Sequence, residues 1–149
     1  MNLNNEKLHL STIMFRLKHR RYLRKKQVAE TARVKKSMSL VEKKLEKWVE
    51  EGRYRNRYDS IDEILDELGI TGDELRFYCS SRFHKCFLSW RKELRIEDAK
   101  EMLTSFPEMP VSKICNALGI TDKSDFRHQF KSATGMTPKE WREKFQKKS

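Results

Sequence analysis

Residues 111–142 read VSKICNALGITDKSDFRHQFKSATGMTPKEWR, and the spacing of apolar and turn residues within them decides the fold. Ile114 and Leu118 stand four apart, as on one face of a helix. Gly119 follows at once, at a place where a helix can end on a residue with positive φ, which glycine adopts without strain. Four residues before it, where two helices approach closely, Cys115 supplies a small side chain. Ile120 returns to the core, Thr121 is expected to cap the next helix, and Phe126 and Phe130 again stand four apart. Gly135 is a natural stop for that helix. Thr137-Pro138-Lys139-Glu140 is a capping box with proline at the first helical position, where its missing N–H costs nothing. The stretch reads as helix, sharp turn, helix, and then a third helix.

The same device occurs fifty residues upstream. IDEILDELGIT (61–71) aligns with VSKICNALGIT (111–121), with five identities in eleven positions clustered at the turn: Ile64/Ile114, Leu68/Leu118, Gly69/Gly119, Ile70/Ile120 and Thr71/Thr121. Leu65 is large for the position that Cys115 fills. Ser60-Ile61-Asp62-Glu63 and Thr71-Gly72-Asp73-Glu74 are both capping boxes. Leu75 and Phe126 sit at the same depth of the two second helices.

Outward from the repeat, the signals place helices at roughly 40–51, 61–68, 72–82, 86–105, 112–118, 122–133 and 138–146. With five Gly, three Pro and no strand-length alternation, the fold class is all-α. It is expected to be a seven-helix domain of two helix-turn-helix subdomains joined by a central linker helix. Its divisions are a basic extension at 1–38, helical if ordered, and a domain at 39–149, split into 39–85, 86–106 and 107–149. Val34, Met38, Val41, Leu45 and Trp48 make a 4-3-4-3 stripe, read as a core-facing helix over its C-terminal half rather than a coiled-coil seam.

The net charge of +11 would suggest a nucleic-acid partner, but its location matters. Residues 16–36 hold ten Lys or Arg against Glu30 alone, whereas residues 37–149 hold 22 basic against 20 acidic residues. Composition thus describes the extension, and the repeat must carry the functional reading. Cys79, Cys86 and Cys115 are odd in number, form no CxxC pair and read as reduced thiols in a helical core. His84, Cys86 and His128 match no ligand or nucleophile spacing, and no phosphate loop, HExxH or paired-carboxylate motif occurs. No catalytic residue, cofactor or metal is therefore expected. The acids Asp62, Glu63, Asp66 and Glu67 read as a solvated face, with a contact for a basic partner as the alternative.

Residues 41–145 resemble the C-terminal DNA-binding domain of the AraC/XylS family of bacterial transcription regulators. Gly119, Phe126, Phe130-Lys131, Gly135, Thr137-Pro138 and Trp141-Arg142 carry the resemblance, with Phe87, Trp90, Leu94-Arg95, Ala99 and Leu103 in the helix between the repeats. The family implies two helix-turn-helix subdomains whose second helices enter successive major grooves, ~34 Å apart. By position it implies base contacts from Lys123, Ser124, Arg127 and His128. Lys131 and the N-termini of helices 61 and 112 would meet phosphates. In the first subdomain the corresponding residues are Asp73, Arg76, Phe77 and Ser80, a departure because Phe77 stands where a basic residue is usual and Asp73 would repel phosphate. Cys79 replaces a core Phe, and His84 replaces the Gly that ends this helix.

The reading is a cytoplasmic, sequence-specific regulator of transcription whose partners are double-stranded DNA and RNA polymerase. A homodimer through the N-terminal helix is a further expectation. The alternatives are the output domain of a larger membrane-anchored sensor-regulator, or a helical interaction module that no longer reads sequence. Residues 16–36 are open to three roles: DNA phosphate contacts, a solvated helix, or the cytoplasmic flank of a membrane anchor, the last only in a fragment.

Overall fold

Residues 1–50 contain no glycine and no proline, so nothing in the sequence stops a helix before Gly52. In the computed structural model, which describes the backbone of residues 3–57 and 59–145 and the side chains from residue 11, α1 spans Leu3–Glu50. The first helix is therefore far longer than the expected 40–51. It ends where Gly52 takes φ 68°, and a single 3-10 turn, Arg53–Arg55, follows. The chain divides into an N-terminal unit, Met1–Leu40, and a main unit, Val41–Ser149.

In the N-terminal unit residues 11–36 are all exposed. Cations and apolar side chains such as Ile13, Leu17, Tyr22, Leu23 and Val28 alternate around every face, so the helix has no apolar stripe to bury.

The main unit contains the C-terminal end of α1, then α2 (Ile61–Leu68), α3 (Gly72–Phe83), α4 (Phe87–Ser105), α5 (Val111–Ala117), α6 (Lys123–Thr134) and α7 (Pro138–Phe145). Seven α-helices and no strand occur among the described residues. Val41, Leu45 and Trp48 are each 2% exposed, so this half of the stripe faces the core as its spacing predicts. Trp48 packs with Phe87, Trp90 and Tyr54 at ring distances of 5.5, 6.4 and 6.3 Å. A second core gathers Ile96, Ala99, Leu103, Ile114, Cys115, Leu118, Phe126 and Phe130, with Trp141 set edge-on to Phe130 at 5.8 Å. Each such large apolar side chain contributes ~1.5–3 kcal/mol through burial. α4 serves both cores, giving Phe87 to the first and Ile96, Ala99 and Leu103 to the second.

Four local expectations change. α6 is capped by Asp122, not Thr121: its carboxylate accepts from the amides of Ser124 and Asp125 at 2.7 and 3.1 Å. One carboxylate can serve two orphan amides, which outbids a threonine one residue earlier. α5 starts at Val111 instead of Ser112, because Pro110 stands as its cap and accepts from the amides of Lys113 and Ile114. Leu65 is accommodated half-buried beside Gly72, where even a Cβ would meet its methyl group at an ordinary 3.7 Å. Cys79 and Cys115 are core thiols, but Cys86 is exposed at the start of α4, where its sulfur lies 3.2 Å from the Ser89 hydroxyl.

Candidate nucleic-acid interface

The two turns are built from the same hydrogen bonds. Ile70 N–H donates to the Leu65 carbonyl and Gly69 N–H to that of Asp66; Ile120 and Gly119 repeat this with Cys115 and Asn116. This six-to-one and five-to-two pairing is the Schellman arrangement, which requires a left-handed residue at its centre. Gly69 and Gly119 supply it at φ 57° and 69°.

Beyond the turn the offset between the repeats changes from fifty to fifty-one, since the cap moves from Thr71 to Asp122. α3 and α6 then match position by position, each twelve residues long. Leu75 matches Phe126, Cys79 matches Phe130, and His84 matches Gly135 as the left-handed residue that ends each helix. Cys79 is fully buried like Phe130, and its thiol is pushed up to about 11 by that burial. Asp73, Arg76, Phe77 and Ser80 match Ser124, Arg127, His128 and Lys131.

All of these expected contact residues, and Lys123, are exposed. On α6 the side chains of Lys123, Arg127, His128 and Lys131 make no hydrogen bond or ion pair among the described residues. Lys123, Arg127 and Lys131, four apart, run in one exposed row along the flank of the buried pair Phe126 and Phe130, and His128 points away from that pair. Burial raises the Cys115 thiol, and the positive charges of Lys123 and Arg127 oppose that rise from α6.

The α3 face differs. Arg76 donates to Asp73 at 2.8 Å, so two of the expected contact residues engage each other. Phe77 is half exposed, and the Ser80 hydroxyl turns back to the Phe77 carbonyl at 3.1 Å. α3 carries two acids and two bases; α6 carries three bases and one acid. The Asp73–Arg76 pair is solvent-exposed and contributes only ~0–1 kcal/mol, so a phosphate or base can compete for Arg76.

The helix N-termini expected at phosphates also differ. α2 begins with a complete capping box, in which Ser60 and Glu63 serve each other and Asp62 adds a second acid. α5 begins with no side-chain cap and no acid in its first turn.

The segment RYRNR, residues 53–57, falls between the expected helices 40–51 and 61–68, and sequence reasoning gave it no role. Arg91 and Arg95 of α4 both donate to the carbonyls of Tyr54 and Asn56. Asp98 of α4 accepts from the Tyr54 hydroxyl at 2.6 Å and from Arg55 at 2.7 Å. The signal was available in outline: Arg91 interrupts the buried side of α4 one turn after Phe87, where an apolar residue is ordinary.

A family model described as a helix-turn-helix domain matches residues 64–144. The chain belongs to this family, the AraC-type DNA-binding domains of transcription regulators. Over 55 residues it is 40% identical to the arabinose operon regulatory protein of Salmonella typhimurium, a match covering 37% of this chain and 19% of that relative. The chain therefore spans about a fifth of the length of this curated relative. Among solved structures, it resembles the C-terminal domain of AraT, a response regulator from Geobacillus stearothermophilus, with a TM-score of 0.58 at 18% identity. That likeness covers 78% of this chain and 88% of the other. The C-terminal domain of the response regulator yesN from Fusobacterium nucleatum gives 0.58 at 24% identity, covering 67% and 96%. Fold and family are those of DNA-binding transcription regulators, not of enzymes. No helix among the described residues is long and apolar enough to cross a membrane.

Proposed function

We propose that the chain is a sequence-specific regulator of transcription that reads bases mainly through α6, with α3 seated in the adjacent major groove. The carrying observation is the unpartnered cationic face of α6 held over two buried phenylalanines. Lys123, Arg127 and His128 point to base edges, where the Arg127 guanidinium can fork onto guanine O6 and N7. Ser124 lies beside them and adds a short hydroxyl contact. Lys131, one turn further on, suits a phosphate. On α3, Phe77 fits a thymine methyl and Arg76 a phosphate or guanine once it leaves Asp73, with Ser80 in reserve. The kinship with an operon regulator supports this reading, as does the family. RNA polymerase and a second copy of the chain are the protein partners it implies, and the cytoplasm is the compartment.

The N-terminal unit fits a phosphate-contacting role better than a membrane surface. A surface-bound helix needs one apolar face, and here cations surround the helix. Replacing its cations by glutamine should reduce the log–log salt slope of binding to random DNA by ~0.9 for each lost phosphate contact.

Selection from random duplex DNA tests the main reading. The expected result is a two-part motif whose sharper half belongs to α6, with the selected site preferred over bulk DNA by ~10³ or more. A flat motif would overturn it.

A further inference from the structure

Residues 53–57 touch α1, α2, α4 and the turn at Gly119. Arg53 forks onto Glu67 of α2 with two bonds of 2.8 Å. The Tyr54 ring packs on Trp48 of α1, and its hydroxyl binds Asp98 of α4. The Tyr54 and Asn56 carbonyls each accept from both Arg91 and Arg95. The backbone of this same segment lies against the turn of the second helix pair. A Cβ built on Gly119 would stand 2.0 Å from the Arg55 carbonyl oxygen and 3.4 Å from the Arg57 Cα.

We infer that residues 53–57 act as a strap that fixes the α5–α6 pair relative to the α2–α3 pair, so that Arg91, Arg95, Asp98 and Gly119 set the spacing at which the two recognition helices meet DNA. This rests on the proposed two-helix reading, which it extends from which bases are read to how far apart they lie. α4 alone fixes a length of ~28 Å at 1.5 Å per residue, but a single helix leaves its flanking units free to roll about its axis. The strap removes that freedom. Rolling of the second pair would drive the Gly119 backbone into the Arg55 carbonyl or strip two carbonyls of four guanidinium donors.

The choice of residues supports a positional role. Two guanidinium groups share one site where, among the described residues, no carboxylate is bonded to either, and Asp59 acts on both through its charge alone. Burial, with the charge of Arg91 beside it, lowers Arg95 to about 10, and burial lowers Arg91 as well. Apolar side chains would fill this part of α4 with less desolvation cost, but they would not hold two particular carbonyls. Asp98 adds a second latch one turn further along. It holds Arg55 in its charged form through their hydrogen bond, while burial and the Asp98 bond raise Tyr54.

Two readouts on the full chain test this. Labels at Ser81→Cys on α3 and Ser132→Cys on α6, both exposed positions, in a Cys86→Ser background report the separation of the pairs without DNA. The parent should give one narrow distance distribution; Asp98→Ala and Arg95→Met should broaden it, and Arg95→Lys, which keeps the charge but not the fork, should lie between. Duplexes carrying the selected motif with its halves moved by one base pair either way give the second readout, each step shifting a half by ~3.4 Å. The parent should prefer its own spacing by about tenfold or more, as for a displaced base contact. Asp98→Ala should reduce that preference below about threefold while keeping the base preferences of the α6 half. Folded variants with parental distances and parental spacing preference would overturn the strap. Should Arg95→Met fail to melt cooperatively, Asp98→Ala carries the test alone. A parent with a narrow distance distribution but no two-part motif would sink the proposed two-helix reading, and the label distances would still decide whether the strap holds.

Discussion

The two helix-turn-helix pairs share a turn to the level of individual hydrogen bonds yet present opposite surfaces. In the second, α6 exposes cations without a hydrogen bond or ion pair among the described residues, α5 starts without a side-chain cap, and the turn glycine lies against the backbone of the strap. In the first, α3 begins with two acids, Asp73 holds Arg76, and the turn is closed by a side chain, Lys44 donating to the Gly69 carbonyl at 2.9 Å. Copying a turn conserves a backbone geometry, because the left-handed residue and its flanking apolar plugs leave little choice. The exposed face is under no such constraint, so the copies diverge there. On the proposed reading, α6 carries the sharper recognition and α3 a supporting role.

The largest expected effect separates the two turn glycines. Gly69→Ala meets only the mobile tip of Lys44 at 3.4 Å and should cost the left-handed penalty of ~1–2 kcal/mol. Gly119→Ala adds a collision with the Arg55 carbonyl, and overpacking of ~1–3 kcal/mol on the same penalty gives ~2–5 kcal/mol. Denaturant melts of both variants measure this, and equal losses would remove the asymmetry between the turns.

Binding comes next. Arg127→Ala should lose ~1–3 kcal/mol on the selected site and relax preference at one base pair. Lys131→Ala should weaken selected and random DNA alike. Arg76→Ala should cost less than Arg127→Ala, since its guanidinium must first leave Asp73. Titrations on both kinds of DNA check the order; a uniform loss for Arg127→Ala would mean that α6 is turned differently from its proposed seat.

A smaller effect concerns the helix ends. His84 holds φ 54° where the second pair has Gly135 at 77°. His84→Gly removes the Cβ strain at the price of a more flexible unfolded chain, leaving a net stabilisation of ~0.5–1 kcal/mol. A lower midpoint in urea would show that the His84 side chain contributes something glycine cannot replace.

The smallest effect is a dependence on acid. Hydrogen bonds from the backbone, then the hydroxyl, of Ser60 lower Glu63, and Thr137 does the same for Glu140. Both carboxyls sit below the ordinary 4.5, so their contribution is complete above that pH and is lost as pH falls through the folded values. Glu63→Gln should flatten the pH dependence of melting below about 4.5 in the first pair, and Glu140→Gln should do so beside the second. Parallel curves for parent and variants would remove the capping boxes from the account.

Much of this molecule was legible in its residues. The repeat, the positive-φ glycines, three capping boxes, the core stripe from Val41 to Trp48 and the exposed face of α6 are all local, set by the period of a helix and the geometry of its ends. The family resemblance supplied the expected contact residues on the same local pattern. Local chemistry also misled at Thr121, because two possible caps stood side by side and only the one that reached two amides prevailed. The extent of α1 was under-read because charge without an apolar stripe gives no helical periodicity, although nothing in residues 1–50 opposes a helix.

What the tertiary structure alone decided lies between elements. That Cys86 faces solvent while Cys79 takes the core place that Phe130 has in the second pair, and that residues 53–57 bind α2, α4 and the turn at Gly119, are long-range facts. The strap is the clearest case. Its partners are carbonyl oxygens, which every residue carries, so no side-chain pattern marks which two of them Arg91 and Arg95 will find. A sequence specifies donors and periodicities, and only the packed chain determines which backbone atoms those donors reach.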